Sequence, residues 1–265
     1  MGVGLEDGTS VSSNGIGEED ESDKIRLLSP VDPGNESRAT GGVYLRQEVS
    51  LSRALEEIGY GRYQMYLLCF AGATQLADAT ELITISFLTR ELRGDWNLSQ
   101  TEAALLQLSV LFGMGVGAVS CGILSDRFGR RTGSAFAVMF TALFGVASSM
   151  AVGLWMLLLF RFAVGIGVGS APAPLGLYAE FLPPSKRGGQ LVTFFTFFSI
   201  GAVLEALLAW ITLGTENGGG WRALLLVSSI PSILLTFCLP IIPESPRYYL
   251  VTGQYHKALQ TLQKV

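Results

Sequence analysis

Gly122-Ile-Leu-Ser-Asp126-Arg127-Phe-Gly129-Arg130-Arg131 is the stretch whose reading decides the fold. It lies between two long apolar runs. It gathers three arginines and an aspartate in a chain where charged residues make up only 15%. Such a cluster marks a point where the chain leaves an apolar medium. Excess Lys and Arg beside a span places the link on the cytosolic side. Gly129 permits a tight turn, and Asp126 can accept hydrogen bonds from an arginine or a helix N-terminus.

Composition extends this reading to the whole chain. The 265 residues are 49% hydrophobic with a mean hydropathy of +0.42, too apolar for a soluble domain of this size. The net charge is −4, and no basic patch points to nucleic acid. Cys69, Cys121 and Cys238 all fall inside apolar runs. They read as buried thiols packing as small hydrophobes, with no CxxC or Cys/His cluster to hold a metal. Residues 1–23 are polar and acidic, so the first span is expected to act as its own targeting signal.

Residues 1–48, with the run Glu18-Glu-Asp-Glu-Ser-Asp23, read as a disordered acidic cytosolic tail. Within it, Asp23, Leu27 and Leu28 have the spacing of an acidic dileucine sorting signal. Asn35-Glu-Ser37 is a glycosylation sequon that a cytosolic tail would leave unmodified. Residues 49–62 read as a short amphipathic juxtamembrane helix. Six apolar stretches follow, at about 63–88, 104–124, 133–152, 154–178, 190–213 and 222–242. Each is near the roughly 20 residues that cross a bilayer as a helix. The fold class is therefore an all-α membrane protein, with a six-span bundle over 63–244 and the start of an intracellular helical segment over 245–265.

Charge fixes the expected topology. The links at 125–132, at 183–189 (Lys186, Arg187) and after 243 (Arg247, Lys257) are basic, whereas those near 153 and at 214–221 carry almost no positive charge. Both ends and the even-numbered links then lie in the cytosol. The sequon Asn97-Leu-Ser99 faces the outside or a lumen, where it is open to glycosylation. Gly113-Met-Gly115-Val-Gly117 and Gly165-Ile-Gly167-Val-Gly169 read as close helix-packing faces, and Pro172 and Pro174 as a bend in the fourth span.

Four ionisable residues fall inside spans: Asp78 and Glu81 in the first, Arg161 in the fourth and Glu205 in the fifth. Such groups normally face a partner or a watery path, and so are candidates for coupling or substrate binding. Depth along the spans puts Asp78 and Arg161 at a similar level and predicts a pair between them. It reads either as a structural ion pair or as a switch that protonation of Asp78 would release. Phe194, Phe195, Phe197 and Phe198 read as lipid-facing or packed rather than as a cavity lining. The single histidine, His256, reads as solvated. No nucleophile–base constellation or phosphate loop indicates an enzyme, and no cofactor or metal is expected.

The opening stretch resembles the signature loop between the second and third spans of the major facilitator superfamily. Its pattern is Gly122, Asp126, Arg127, Gly129, Arg130 and Arg131. Arg161-Phe-Ala-Val-Gly165 and the segment Tyr178-Ala-Glu180 through Arg187-Gly188 resemble later motifs of the same family. Pro243-Glu244-Ser245-Pro246-Arg247 is similar to the segment closing the sixth span of sugar-porter-like members. Glu56-Glu57-Ile-Gly59-Tyr-Gly61 with Asp78-Ala-Thr-Glu81 resembles the synaptic-vesicle-protein-like branch, which includes organic cation and anion transporters. The resemblance implies a carrier for a small organic solute in the lipid bilayer, working by alternating access, with proton coupling among the options. It assigns Asp126, Arg130, Glu180, Arg187, Glu244 and Arg247 to a cytosolic network that holds the inward gate shut.

Members of that family have about twelve spans in two halves, with substrate between them. The six spans here imply a partner, either a C-terminal six-span half or a second copy of the chain. Two functional readings stand: a secondary transporter of an organic ion or sugar-like solute, or a non-transporting vesicle or endomembrane protein for trafficking or regulation built on the same fold.

Overall fold

The computed structural model describes residues 24–30, 44–214 and 220–264. Lys24–Pro30 (β1) and Tyr44–Ser50 (β2) pair antiparallel, with Leu27 opposite Gln47 and Leu28 opposite Arg46. The stretch read as a disordered tail thus contains a two-stranded ribbon. The polar–apolar alternation Lys24-Ile25-Arg26-Leu27 supports it locally. Asp23 and the sequon at Asn35 lie outside the described residues.

Eleven helices follow among the described residues. They are α1 (Leu51–Ile58), α2 (Arg62–Asp95), α3 (Gln100–Phe128), α4 (Arg130–Ser149), α5 (Leu154–Val168), α6 (Pro172–Ala179), α7 (Arg187–Leu213), α8 (Gly220–Ser228), α9 (Ile230–Cys238), α10 (Pro246–Val251) and α11 (Tyr255–Leu262). Among the described residues, five helical segments are long and apolar enough to cross a bilayer: Gln100–Phe128, Arg130–Ser149, Leu154–Ala179, Pro184–Leu213 and Gly220–Ile241. The first expected span, α2, has 34 residues, about 51 Å at 1.5 Å per residue. Its charges keep it from qualifying on composition, yet it packs among the other five, chiefly along α7. The fourth span breaks between α5 and α6, where Pro172 opens the second piece. The sixth breaks at Ser229, with Pro231 in the first turn of α9.

The expected polar loop at 125–132 shrinks to one residue. The α3 helix runs to Phe128 and α4 begins at Arg130, with Gly129 capping both at φ +100. That conformation suits glycine, and a Cβ there would strike the Glu244 carboxylate. Closest approach in the bundle is between α3 and α5. A Cβ on Gly113 or Gly117 would meet the Phe162 or Ile166 carbonyl oxygen, and one on Gly165 or Gly169 would meet that of Val110 or Met114.

Apolar packing is divided along the bundle axis. Toward the end carrying Arg127, Arg130 and Arg131, here called the basic end, Leu67, Phe70, Tyr178, Phe181 and Phe194 are buried together. At the other end, Leu88, Leu92, Leu106, Leu157 and Trp221 cluster, with Trp96 edge-on to Trp221 at 5.4 Å. Arg222 stacks over the Trp221 ring at 4.3 Å, and the Trp221 indole donates to Asp95. Leu51 and Leu55 of α1 pack not on the bundle but on Leu250 and Ala258 of α10 and α11. Of the cysteines only Cys121 is buried; Cys69 and Cys238 lie on exposed apolar faces, contrary to the sequence expectation. Apolar runs reach the lipid-facing side of a bundle as readily as its core, so composition does not separate the two.

Gly117→Ala will lower stability by about 2 kcal/mol, because the added methyl overpacks the α3–α5 contact. Gly115→Ala will leave the melting temperature in detergent unchanged, since a Cβ there meets nothing within 4 Å.

Candidate functional site

Buried charge converges midway along the bundle. Arg161 of α5 is fully buried, and its Nη1 lies 3.0 Å from Glu81 Oε2 of α2, also fully buried. Arg161 Nε donates to Ser148 Oγ at 3.2 Å, while Nη2 has no partner among the described residues. Glu81 Oε1 accepts from Ser229 Oγ at 3.0 Å. Next to it, Glu205 of α7 is buried and accepts from Thr84 Oγ1 at 2.5 Å and from Ser228 Oγ at 2.9 Å. Thr80 Oγ1 reaches the Ser228 carbonyl at 3.2 Å. Three carboxylate- or guanidinium-bearing helices are thus stitched together by hydroxyls from α2, α4 and α8–α9.

The expected Asp78–Arg161 pair does not form; Glu81 holds the arginine instead. The depth argument places a residue only to within a helical turn, and Asp78 and Glu81 are one turn apart. Asp78 is partly exposed and lines a small cavity between α2, α4, α6 and α9. The serine and threonine partners were missed because hydroxyls in spans usually bond their own helix. The available signal was the spacing of Ser228, Ser229 and Ser232 on one face of the sixth span, opposite Thr80 and Thr84.

The basic end holds a second polar centre. Arg130 Nε lies 3.3 Å from Glu180 Oε1, and Arg130 Nη1 lies 3.4 Å from Asp126 Oδ1 and 3.3 Å from Ser125 Oγ. Ser245 Oγ donates to Glu180 Oε2. Glu244 Oε1 accepts from the backbone N–H groups of Arg131 and Ser245, both at 3.0 Å, and Tyr248 donates to the Arg127 carbonyl at 3.1 Å. Arg247 joins Ser125, Asp126, Arg130 and Glu180 around an open pocket of about 270 Å³. Arg187 stands apart from these carboxylates and donates to its own Leu182 carbonyl. Gly122 and Asp126 share an exposed face of α3, where a Cβ on Gly122 meets nothing. Asn97 is exposed at the tryptophan end with φ +52, and Ser99 of its sequon caps α3. Phe194 is buried, Phe197 packs on the core against Gly72, and Phe195 is exposed; His256 is exposed and touches Gln260.

Removing one member of the buried pair strands the other in an apolar interior, at a cost of about 3–5 kcal/mol. Glu81→Gln and Arg161→Gln will each lower the melting temperature more than the double variant Glu81→Gln/Arg161→Met, as differential scanning fluorimetry in detergent will read.

Comparison with known proteins identifies the family and the fold. Synaptic vesicle 2-related protein of Xenopus laevis is 37% identical, with 80% of this chain and 38% of that protein covered. Organic cation/carnitine transporter 7 of Arabidopsis thaliana is also 37% identical, over 82% of this chain and 43% of that one. The chain therefore spans about two fifths of the length of the curated relatives it matches. Among solved structures, the major facilitator proton:xylose symporter XylE bound to 6-bromo-6-deoxy-D-glucose superposes with a TM-score of 0.69 at 25% identity, covering 76% of this chain and 49% of that one. A family described as sugar (and other) transporter matches residues 59–265. With its apolar helices and its polar centres, this chain is an integral multi-pass membrane protein that belongs to the sugar (and other) transporter family of the major facilitator type.

Proposed function

We propose that the chain forms one six-span body of a secondary transporter that moves a small organic solute, an organic ion or a sugar-like molecule, by alternating access. The observation that carries this is the fully buried Glu81–Arg161 pair at mid-bundle. Ionisable residues at that depth are rare in membrane bundles and mark substrate, ion or proton pathways. A proton on Glu81 removes the counter-charge of Arg161 and frees the guanidinium to seek another acceptor. That links proton occupancy to rearrangement of α2 against α5 and, through Ser229 and Ser228, of α8 and α9.

The basic-end network then serves as the cytosolic gate. Arg130, Glu180 and Ser245 tie α4, α6 and the start of α10 together, and Asp126 and Gly122 face outward. That outward face is where a second six-span body would close the gate, whether a C-terminal half or a second copy. The lengths of the relatives support such a body. The relatives named for synaptic vesicles support a vesicle membrane as the location. Both termini lie in the cytosol in this reading, on the strength of the basic links.

Uptake of labelled organic cations, organic anions and hexoses by cells expressing the complete reading frame will test the assignment. One class will accumulate in response to an imposed proton gradient, and Glu81→Gln will cut that uptake at least about tenfold, or about 1.4 kcal/mol. Wild-type uptake in Glu81→Gln removes the coupling role, and no uptake of any class favours the non-transporting reading. For the topology, Asn97→Cys will react with an impermeant thiol reagent from outside or from the lumen, and Lys186→Cys only after the membrane is opened. The reverse pattern inverts the orientation.

A further inference from the structure

Three serines among the described residues have an arginine two places on: Ser125 before Arg127, Ser185 before Arg187 and Ser245 before Arg247. A kinase that reads basic residues just after its acceptor would take any of the three as bare sequence. Burial separates them. Ser125 is 2% exposed and accepts from Arg130, and Ser245 is 0% exposed and donates to Glu180. Ser185 is exposed, as are Pro184, Lys186 and Arg187 beside it.

The segment around Ser185 can also yield. It is one short turn, Pro184–Lys186, between α6 and α7, and α7 opens on Arg187-Gly188-Gly189. A Cβ on either glycine would meet nothing, so no neighbour braces this turn through them. Glycine is also a weak helix former. The start of α7 can therefore unwind into a kinase cleft at small cost.

What Ser185 touches gives its modification a consequence. Its backbone N–H donates to Glu56 Oε2 of α1 at 3.4 Å. Elsewhere α1 is held by Leu51 and Leu55 against Leu250 and Ala258. The α1 helix is thus a strap between the α6–α7 link and the α10–α11 segment, with a polar fastening at one point and an apolar one at the other. A phosphate on the Ser185 hydroxyl carries about −1.5 to −2 charges. It stands near Glu56 on the scale of the Debye length, about 8 Å at physiological salt. Like charge then drives the Glu56 carboxylate off, while Lys186 and Arg187 give the phosphate cationic partners on its own segment.

We infer that Ser185 is a phosphorylation site and that its phosphate releases α1 from the link between α6 and α7. The modifying enzyme is a serine/threonine kinase with an acidic pocket for the basic residues that follow its acceptor, and ATP is its co-substrate. The γ-phosphoryl group passes to Ser185 Oγ, its bond to the ADP oxygen breaks, and the hydroxyl proton leaves with the kinase's base. The inference rests on the cytosolic placement of the basic end proposed above.

The test uses the purified full chain in detergent, where both faces are open and no transport is read. Its failure is therefore separate from failure of the carrier assignment or of the topology. A protein kinase C catalytic domain with ATP and magnesium will phosphorylate Ser185, as peptide mass spectrometry will read. Hydrogen exchange at residues 51–58 will then speed up at least about fivefold. Ser185→Ala treated in the same way will show no change there. In Glu56→Lys the sign reverses: the phosphate attracts the lysine, and the same amides exchange more slowly after the kinase. The inference is overturned if Ser185 stays unmodified, if exchange at 51–58 is unchanged or slowed in the phosphorylated wild type, or if Glu56→Lys responds as the wild type does.

Discussion

Charge in an apolar medium is the constraint on which this bundle depends. Arg161 and Glu81 are both removed from solvent, and each is tolerable only because the other lies 3.0 Å away. Meeting that condition fixes the rotation of α2 and α5 about their axes. Ser148, Ser229, Ser228 and Thr84 then supply hydroxyls to Arg161 Nε, Glu81 and Glu205, which ties the three helices together. Apolar packing at the two ends of the bundle is permissive by comparison. Many side chains could fill the space around Trp221 or Phe181, but few could satisfy this polar core.

The basic end obeys the same rule under wetter conditions. Arg130 reaches both Asp126 across the Gly129 joint and Glu180 across the bundle, and Ser245 carries Glu180 on to α10. These pairs are partly exposed, so each contributes little on its own. Their value is in geometry. The one-residue joint at Gly129 leaves no slack between α3 and α4, and Glu244 closes over that joint through backbone N–H groups.

The spans were legible because apolar length and basic links report directly on burial in lipid, and the helix bounds follow the sequence reading to within a few residues except in α2. Glycine faces were legible for a related reason: Gly113 and Gly117 answer Gly165 and Gly169 at the spacing of one helical turn. Where the sequence reading went wrong was in choosing Asp78 over Glu81, two acids a turn apart, as the partner of Arg161. That choice rests on how far α2 is rotated and shifted along α5, which no single-helix periodicity encodes. The ribbon at 24–30 and 44–50 escaped because its short alternation is submerged in polar sequence. The hydroxyl network escaped because a serine in a span reads alike whether it bonds its own helix or its neighbour.

One contact at the edge of the bundle carries a further consequence. Leu51 and Leu55, just ahead of the first long helix, share an apolar cluster with Leu250 and Ala258, just beyond the last. The helices that flank the bundle on either side in sequence are therefore stapled together. A body closed in this way is a cassette: it can be copied in tandem, or joined to another through a linker, without re-threading any of its helices.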